Sequence, residues 1–330
     1  MKKYQHLINL IEKHDNFLLT AHVNPDGDSI GSLLGLQYLL EPYAQKIDIV
    51  LADPAPQYLR FLNGVNDIYL VNDLPDEIKE KDYDLYFILD CSALDRIGQV
   101  KDFFVPEVRK INIDHHSDNS NYGAYNYVDA TVSATGELIY NLAVELGSNF
   151  QFDFGMAIAT AIITDTGNFR YSNTSPETHR IIADMLELGV DTQEIIKNVY
   201  ETESYSSMKL KGKVLTNLEV TANGQVAWTV VDEPMLAKLG AAWEDTEGLV
   251  NYPRSLKGVE VGVLFKGVEP EKTRVSLRSN NYFPVNEFAH QFGGGGHPRA
   301  AGCTIQAPLA EAKDTLLEKL QMKLKQIKDD

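Results

Sequence analysis

The sequence predicts an α/β protein: a mostly parallel sheet with helices on both faces, followed by a smaller α/β domain. Three observations carry this. Short apolar runs alternate with helical patterns through the first half of the chain. The composition changes after residue 210, and 330 residues is about twice the common length of a domain.

Phe17 to Ala21 reads as a buried strand that runs into a polar, glycine-containing loop. From Asp28 to Leu40, apolar residues recur at Ile30, Leu33, Leu34, Leu36 and Leu40, a helical stripe. Ile47 to Leu51, Leu85 to Leu89 and Ile111 to Ile113 read as further strands. In parallel sheets of this kind, ligands sit beyond the carboxyl ends of the strands. Ala134 to Leu146 carries another stripe, and Phe154 to Thr164 is apolar nearly all round, as a buried helix is. Pro176 to Leu188 opens with Thr174-Ser175-Pro176-Glu177, a helix-start signature. Residues 190–210 read as a helical linker between a domain at 1–189 and one at 211–330. In the second domain, Val214 to Val231 reads as two strands around Ala222-Asn223-Gly224-Gln225. Val259 to Phe265 and Thr273 to Leu277 read as two more, with helical patterns at Val285 to Phe292 and Leu309 to Ile327.

The formal charge is −17, which argues against tracking of long duplex nucleic acid, since that needs a basic footprint. No apolar run reaches the length of a membrane span, and the start of the chain is not that of a signal peptide. The two cysteines, Cys91 and Cys303, make neither a disulfide framework nor a cysteine zinc site, so a cytoplasmic protein is the expectation. Charge is unevenly spread. Residues 211–330 hold 15 basic and 15 acidic residues, and residues 1–210 hold 15 basic against 32 acidic. An acidic half is usually a solvated surface, but it also suits a domain that holds cations beside one that holds an anion.

Each predicted strand of the first domain runs into a polar cluster. These are His22-Val23-Asn24-Pro25-Asp26-Gly27-Asp28, then Asp90, then Asp114-His115-His116, and the buried helix ends in Thr164-Asp165-Thr166-Gly167. A single carboxylate in such a place is usually a turn former or a helix cap. Four clusters at one sheet edge differ, because assembled carboxylates repel and need a positive partner. Imidazole and carboxylate without thiolate suit Mn²⁺, Zn²⁺ or Fe²⁺, and two such ions sharing a carboxylate suit in-line displacement at phosphorus.

Taken together, His22-x-x-x-Asp26-x-Asp28, the isolated Asp90, Asp114-His115-His116 and Asp165 resemble the four motifs of the DHH phosphoesterase superfamily. Gly293-Gly294-Gly295-Gly296-His297-Pro298-Arg299-Ala300-Ala301-Gly302 resembles the glycine-rich signature of its associated C-terminal domain. The resemblance spans nearly the whole chain and lies nearest to the bifunctional oligoribonuclease and pAp phosphatase subfamily. It implies two Mn²⁺ ions, with Mg²⁺ or Co²⁺ as substitutes. His22, Asp26 and Asp90 would hold one, and Asp28, Asp90, His115 and Asp165 the other. His116 would face the scissile phosphate as a catalytic group, and Asp114 would orient its neighbours. Arg278, Ser279, Gly294, Gly295, Gly296, His297 and Arg299 would bind substrate, with Arg96 and Arg254 as subsidiary contacts. Tyr282 and Phe283 suit base stacking, though aromatics near a helix start are more often core.

The implied substrates are short single-stranded oligoribonucleotides, pAp and dinucleotides, with metals and phosphate donors on opposite walls of a cleft between the domains. Hydrolysis of pApA or of c-di-AMP is the nearest alternative, and a non-catalytic nucleotide-binding regulator is an alternative of another class. An inorganic pyrophosphatase would lack the glycine-His-Arg signature, and a RecJ-type exonuclease would be larger. No membrane partner is expected. The reading leaves open polarity, base preference and oligomeric state, a homodimer included.

Overall fold

Apolar runs without polar alternation need cover on both faces, and the first sheet is built to meet that need. A computed structural model describes residues 3–79 and 82–329, and the chain divides into two units, Met1–Thr202 and Glu203–Asp330. The first unit opens with α1 (Gln5–Ile11), β1 (Asn16–Thr20), α2 (Gly27–Leu40), β2 (Lys46–Leu51) and β3 (Tyr69–Leu70). It continues through α3 (Asp76–Lys79), β4 (Leu85–Leu89), α4 (Val100–Phe103), β5 (Arg109–Asp114) and β6 (Tyr125–Val128). Helices α5 (Thr135–Leu146), α6 (Phe152–Asp165), α7 (Pro176–Glu187) and α8 (Thr192–Ile196) follow. The strand order is β3-β2-β1-β4-β5-β6, and every pairing is parallel.

Alternate residues of each strand enter different cores. Phe17, Leu19, Phe87, Leu89, Ile111 and Ile113 pack with the long helices, including Ile30, Leu138 and Ile158. Leu18, Val50, Tyr86 and Ile88 pack on the other face with Ile78, Ile97 and Val100 from the short helical segments. A one-residue slip would exchange these sets, so burial on both faces holds the register. The pattern in α2 reads as a stripe, yet the helix is buried on almost every side, because α5 and α6 also pack on it. Gly31 permits the crossing: a Cβ there would stand 2.4 Å from the Ala157 carbonyl oxygen.

The second unit contains α9 (Tyr205–Thr216), β7 (Glu219–Val220), β8 (Val226–Asp232), α10 (Glu233–Leu239), α11 (Asn251–Arg254), β9 (Val261–Glu269) and β10 (Lys272–Ser279). It ends with α12 (Val285–His290), β11 (Gly295–His297), β12 (Ala300–Ile305) and α13 (Leu309–Asp329). Its sheet runs β11-β12-β10-β9-β8-β7, antiparallel except for β8 with β9. One face packs on α12 and α13 through Val263, Phe265, Leu277, Phe288, Leu316 and Leu320. The other packs on α9, α10 and α11 through Leu210, Val214, Leu236 and Leu264.

One expectation changes here. Val214 does not start a strand; it lies in α9, where its four-residue spacing from buried Leu210 makes one helical face. Within the glycine run, Gly295–His297 pairs antiparallel with β12. A Cβ on Gly294 would lie 2.1 Å from the Gly302 carbonyl oxygen, so a strand contact requires that glycine. Among the described residues, no helix is long and apolar enough to cross a membrane.

Candidate metal centre

Register brings the polar clusters to one edge. Thr20 pairs with Ile88 and Leu89 with Ile113, so β1, β4 and β5 end almost in step. His22, Asp90 and Asp114-His115-His116 therefore emerge together at their carboxyl ends. Asp90 continues the ladder, donating its N–H to the Ile113 carbonyl at 3.0 Å, and then turns with a left-handed φ of 51°. Asparagine and aspartate tolerate that conformation better than most residues.

The loop after β1 is shaped by its own side chains. Asp26 is the N-cap of α2: its Oδ1 accepts from the N–H groups of Asp28 and Ser29, both at 3.1 Å. Its other oxygen, Oδ2, stands 3.8 Å from His22 Nε2. The Nδ1 of His22 lies 2.8 Å from the Val23 carbonyl, which accepts its proton and leaves Nε2 as the ring nitrogen turned to the site. Asp90 Oδ2 is 3.4 Å from that Nε2. A lone cap would explain Asp26, but not the second carboxylate aimed at the same imidazole.

A second group forms around His115, whose Nε2 lies 3.7 Å from each of Asp28 Oδ2, Asp90 Oδ1 and Asp165 Oδ2. Those separations exceed a hydrogen bond, and ligand atoms of Asp28, His115 and Asp165 all lie within 4.8 Å of one another. Asp90 thus faces one group with each oxygen. Asp28 is almost fully buried and does a second job. It accepts from the N–H groups of Thr135 at 2.7 Å and Gly136 at 3.0 Å, and so caps α5, whose own N-cap residue is Ala134. Asp165 closes α6, and its Oδ2 accepts from Asn173 Nδ2 at 3.1 Å.

His116 is anchored by Asp114 and stands beside both groups, its Nδ1 3.6 Å from Asp90 Oδ1. Its Nδ1 donates to Asp114 Oδ1 at 2.7 Å, and that oxygen also accepts the His115 N–H at 2.9 Å. Asn119 Nδ2 donates to Asp114 Oδ2 and, at 2.8 Å, to Asn112 Oδ1, so the fully buried carboxylate is satisfied on both sides. With Nδ1 bonded to Asp114, Nε2 is the ring nitrogen that any proton exchange would use.

The electrostatics fit a cation-holding site. Burial opposes charge on His22, but Asp90 and then Asp26 outweigh it and raise its pKa to about 9. Burial likewise opposes charge on His115, and Asp165, Asp28 and Asp90 together raise it to about 9. Burial and the neighbouring carboxylates push Asp28 well up and Asp165 to about 7, whereas Asp90 is held low against its burial, chiefly by His22. Without a metal, protons stand in for the missing positive charge. The expected donors, Asp26, Asp28, Asp90, Asp165, His22 and His115, all fall in candidate metal-holding groups, while the thiol of Cys91, next in sequence to Asp90, turns instead to the Ala93 carbonyl at 3.1 Å. Hard and borderline divalent ions suit that set.

A pH dependence follows. Asp165 rises from 3.8 and the two histidines from 6.5, so each binds its proton more tightly folded than unfolded. Their stabilisation is complete below the unfolded values. It is lost through about pH 7 for Asp165 and about pH 9 for the histidines. In chelator, the thermal midpoint should therefore fall from pH 6 to pH 9 by something on the order of 5 °C. Saturating Mn²⁺ should stabilise progressively more over the same interval, because it replaces those protons. Calorimetry at four pH values checks this, and a midpoint that rises with pH in chelator would contradict it.

In the second unit, Arg278 pairs in register with Ala300, which pairs with His297, so these three side chains share a sheet face with the small Ala300 in the middle. Ser279 donates its N–H to the Arg299 carbonyl at 3.0 Å, and Arg299 Nη1 lies 3.4 Å from the Phe283 carbonyl. Arg254 ends α11, and its carbonyl accepts from Asn280 at 2.9 Å. In the first unit, exposed Arg96 accepts the Val23 N–H on its carbonyl at 2.7 Å, beside the His22 loop.

Sequence reasoning missed Thr135, Asn119 and Asn173. Thr135 gives its N–H to Asp28 and its hydroxyl to Asp90 Oδ1 at 3.2 Å. The available signal was a helix starting after Ala134, a poor N-cap that calls for an acceptor from elsewhere. Thr135→Val keeps the shape and the N–H but removes the hydroxyl. It should weaken Mn²⁺ binding about tenfold by calorimetry, while Thr135→Ser stays near wild type. Equal affinities for all three would exclude this role.

Comparison with known proteins agrees with this layout. Residues 16–166 match the N-terminal domain of the DHH family, and residues 223–326 match the DHHA1 domain. The bifunctional oligoribonuclease and PAP phosphatase NrnA of Thermus thermophilus is 32% identical over 93% of this chain and 89% of its own. The protein of the same name from Bacillus subtilis is 29% identical over 91% of this chain and 92% of its own. The crystal structure of an exopolyphosphatase-related protein from Bacteroides fragilis superposes with a TM-score of 0.93 at 30% identity, covering 99% of this chain and 98% of that one.

Proposed function

The chain belongs to the DHH family and is a metal-dependent hydrolase of phosphoester bonds, and from that premise we propose that it degrades short oligoribonucleotides to mononucleotides and converts pAp to AMP. The observation that carries the reading is the division of Asp90. One oxygen faces His22, and the other faces His115 and Thr135. Two ions sharing one carboxylate need that arrangement. His22, Asp26 and Asp90 would hold one Mn²⁺, and Asp28, Asp90, His115 and Asp165 the other.

When bound, the ions supply Lewis-acid polarisation of the phosphoryl group and an acidified water. The protein does the rest. His22 keeps Nε2 toward the site through its bond to the Val23 carbonyl. Asp114 holds His116 so that Nε2 can protonate the leaving oxygen, and the pKa of that ring is raised from its ordinary value. The rise comes mainly from the Asp114 bond and then Asp90, against burial. Arg278, Ser279, His297 and Arg299, with the glycines 294–296, supply donors for a phosphate or nucleotide. Arg96 and Arg254 are outer contacts in this reading.

A product time course with Mn²⁺ tests the proposal across dinucleotides, a pentanucleotide, pAp, pApA, c-di-AMP and inorganic polyphosphate. Mononucleotides from the short RNAs and AMP from pAp are expected. Turnover confined to c-di-AMP and pApA would replace this reading with the dinucleotide one. No product from any substrate would leave a nucleotide-binding regulator.

A further inference from the structure

The second unit contains a groove of about 500 Å³, a size suited to a small-molecule ligand, to which the substrate contacts named above contribute Arg254 alone. Its walls are Gln225, the stretch Arg254–Glu260, and the turn Asn280–Tyr282 that follows β10. The turn is bolted in place. Buried Glu260 accepts from the N–H groups of Asn281, Tyr282 and Phe283 at 3.1, 2.8 and 2.8 Å. Asn280 Nδ2 ties the turn to the Arg254 and Val259 carbonyls, at 2.9 and 2.8 Å. The Glu260 charge is thereby spent inside the wall, and the cationic side chains of the lining are Arg254 and Lys257.

Of the two neighbouring aromatics, Phe283 is 1% exposed and belongs to the core, whereas Tyr282 is 41% exposed. Gln225 Nε2 donates to the Tyr282 hydroxyl at 2.9 Å, which fixes the ring where it stands. A rigid, exposed aromatic beside two cations and exposed amides matches the chemistry of a nucleotide: a base face, a phosphate and hydrogen-bonding edges. Asn280 of the groove wall follows Arg278-Ser279 directly in the chain.

We propose that this groove binds a further nucleotide of an oligoribonucleotide, with its base on Tyr282 and its phosphate toward Arg254 and Lys257, and so favours substrates longer than one nucleoside. The inference rests on the oligoribonuclease reading and adds a length-determining subsite to it. It has a direct consequence: a substrate with one nucleoside, such as pAp, gains less from the groove than a pentanucleotide does.

The test uses the full chain in two arms. In chelator, where no turnover interferes, the anisotropy of a fluorescently labelled pentanucleotide reports binding. Tyr282→Ala should weaken it about tenfold, Tyr282→Phe should restore it, and Lys257→Ala should weaken it and flatten its salt dependence. With Mn²⁺, the ratio of kcat/KM for the pentanucleotide to that for pAp should fall about tenfold in Tyr282→Ala, mostly through KM. An unchanged affinity, or equal losses on both substrates, overturns the subsite. Wild type that binds the pentanucleotide through Tyr282 without cleaving it would overturn the hydrolytic reading and leave the groove standing.

Discussion

Asp90→Asn should reduce phosphoester hydrolysis by about 10³-fold or more at saturating Mn²⁺. The variant isolates charge from shape. Asparagine accommodates the left-handed φ of 51° and fills the same volume, so β4 and its ladder bond to Ile113 are kept. What it loses is the second anionic oxygen. A carboxamide presents one acceptor and one donor, and the donor faces either His22 Nε2 or His115 Nε2. Asp90→Ala would confound the result with strain at the turn. Metal titration by calorimetry should show a reduced stoichiometry alongside the lost rate. Activity within tenfold of wild type would rule out a bridging role for Asp90.

His116→Asn should lower turnover of oligonucleotides by about 10²- to 10³-fold and leave metal binding intact. The asparagine Nδ2 keeps a donor toward Asp114 where His116 Nδ1 donates at 2.7 Å, so the buried carboxylate stays paired. The variant removes Nε2, the atom assigned to proton transfer. A nucleoside leaving group departs as a basic alkoxide unless it is protonated, whereas p-nitrophenolate departs readily without a proton. The deficit should therefore nearly vanish on a p-nitrophenyl phosphodiester, and the alkaline fall of kcat expected of the wild type should be absent. An equal deficit on both substrates would mean that His116 stabilises charge on the phosphoryl group instead.

Much of this was legible before any coordinates. Phe17-Leu18-Leu19 and Leu85 to Leu89 are continuous apolar runs, and such runs announce strands buried on both faces. The polar clusters that end them mark a site, because a parallel sheet opens at its carboxyl edge. The first strand of the second unit was misplaced, since Val214 lies in a window that fits either period until Leu210 is seen beside it in α9. The glycine run reads as a loop because its strand pairing is with Ala300 to Gly302, beyond the next turn.

The sequence by itself determined which side chains can meet at the sheet edge, because strand periodicity, turn residues and the order of the clusters are local properties of the chain. Tertiary structure alone decided what each of them does there. Asp28 caps α5 through Thr135, 107 positions away, and Asp90 meets the hydroxyl of that residue across 45. Burial of Phe283 and exposure of Tyr282 depend on Glu260 gathering three N–H groups from 21 to 23 residues further on. Hydrogen-bond partners of that kind are chosen by the packing of whole elements, and a window of neighbouring residues contains no information about them.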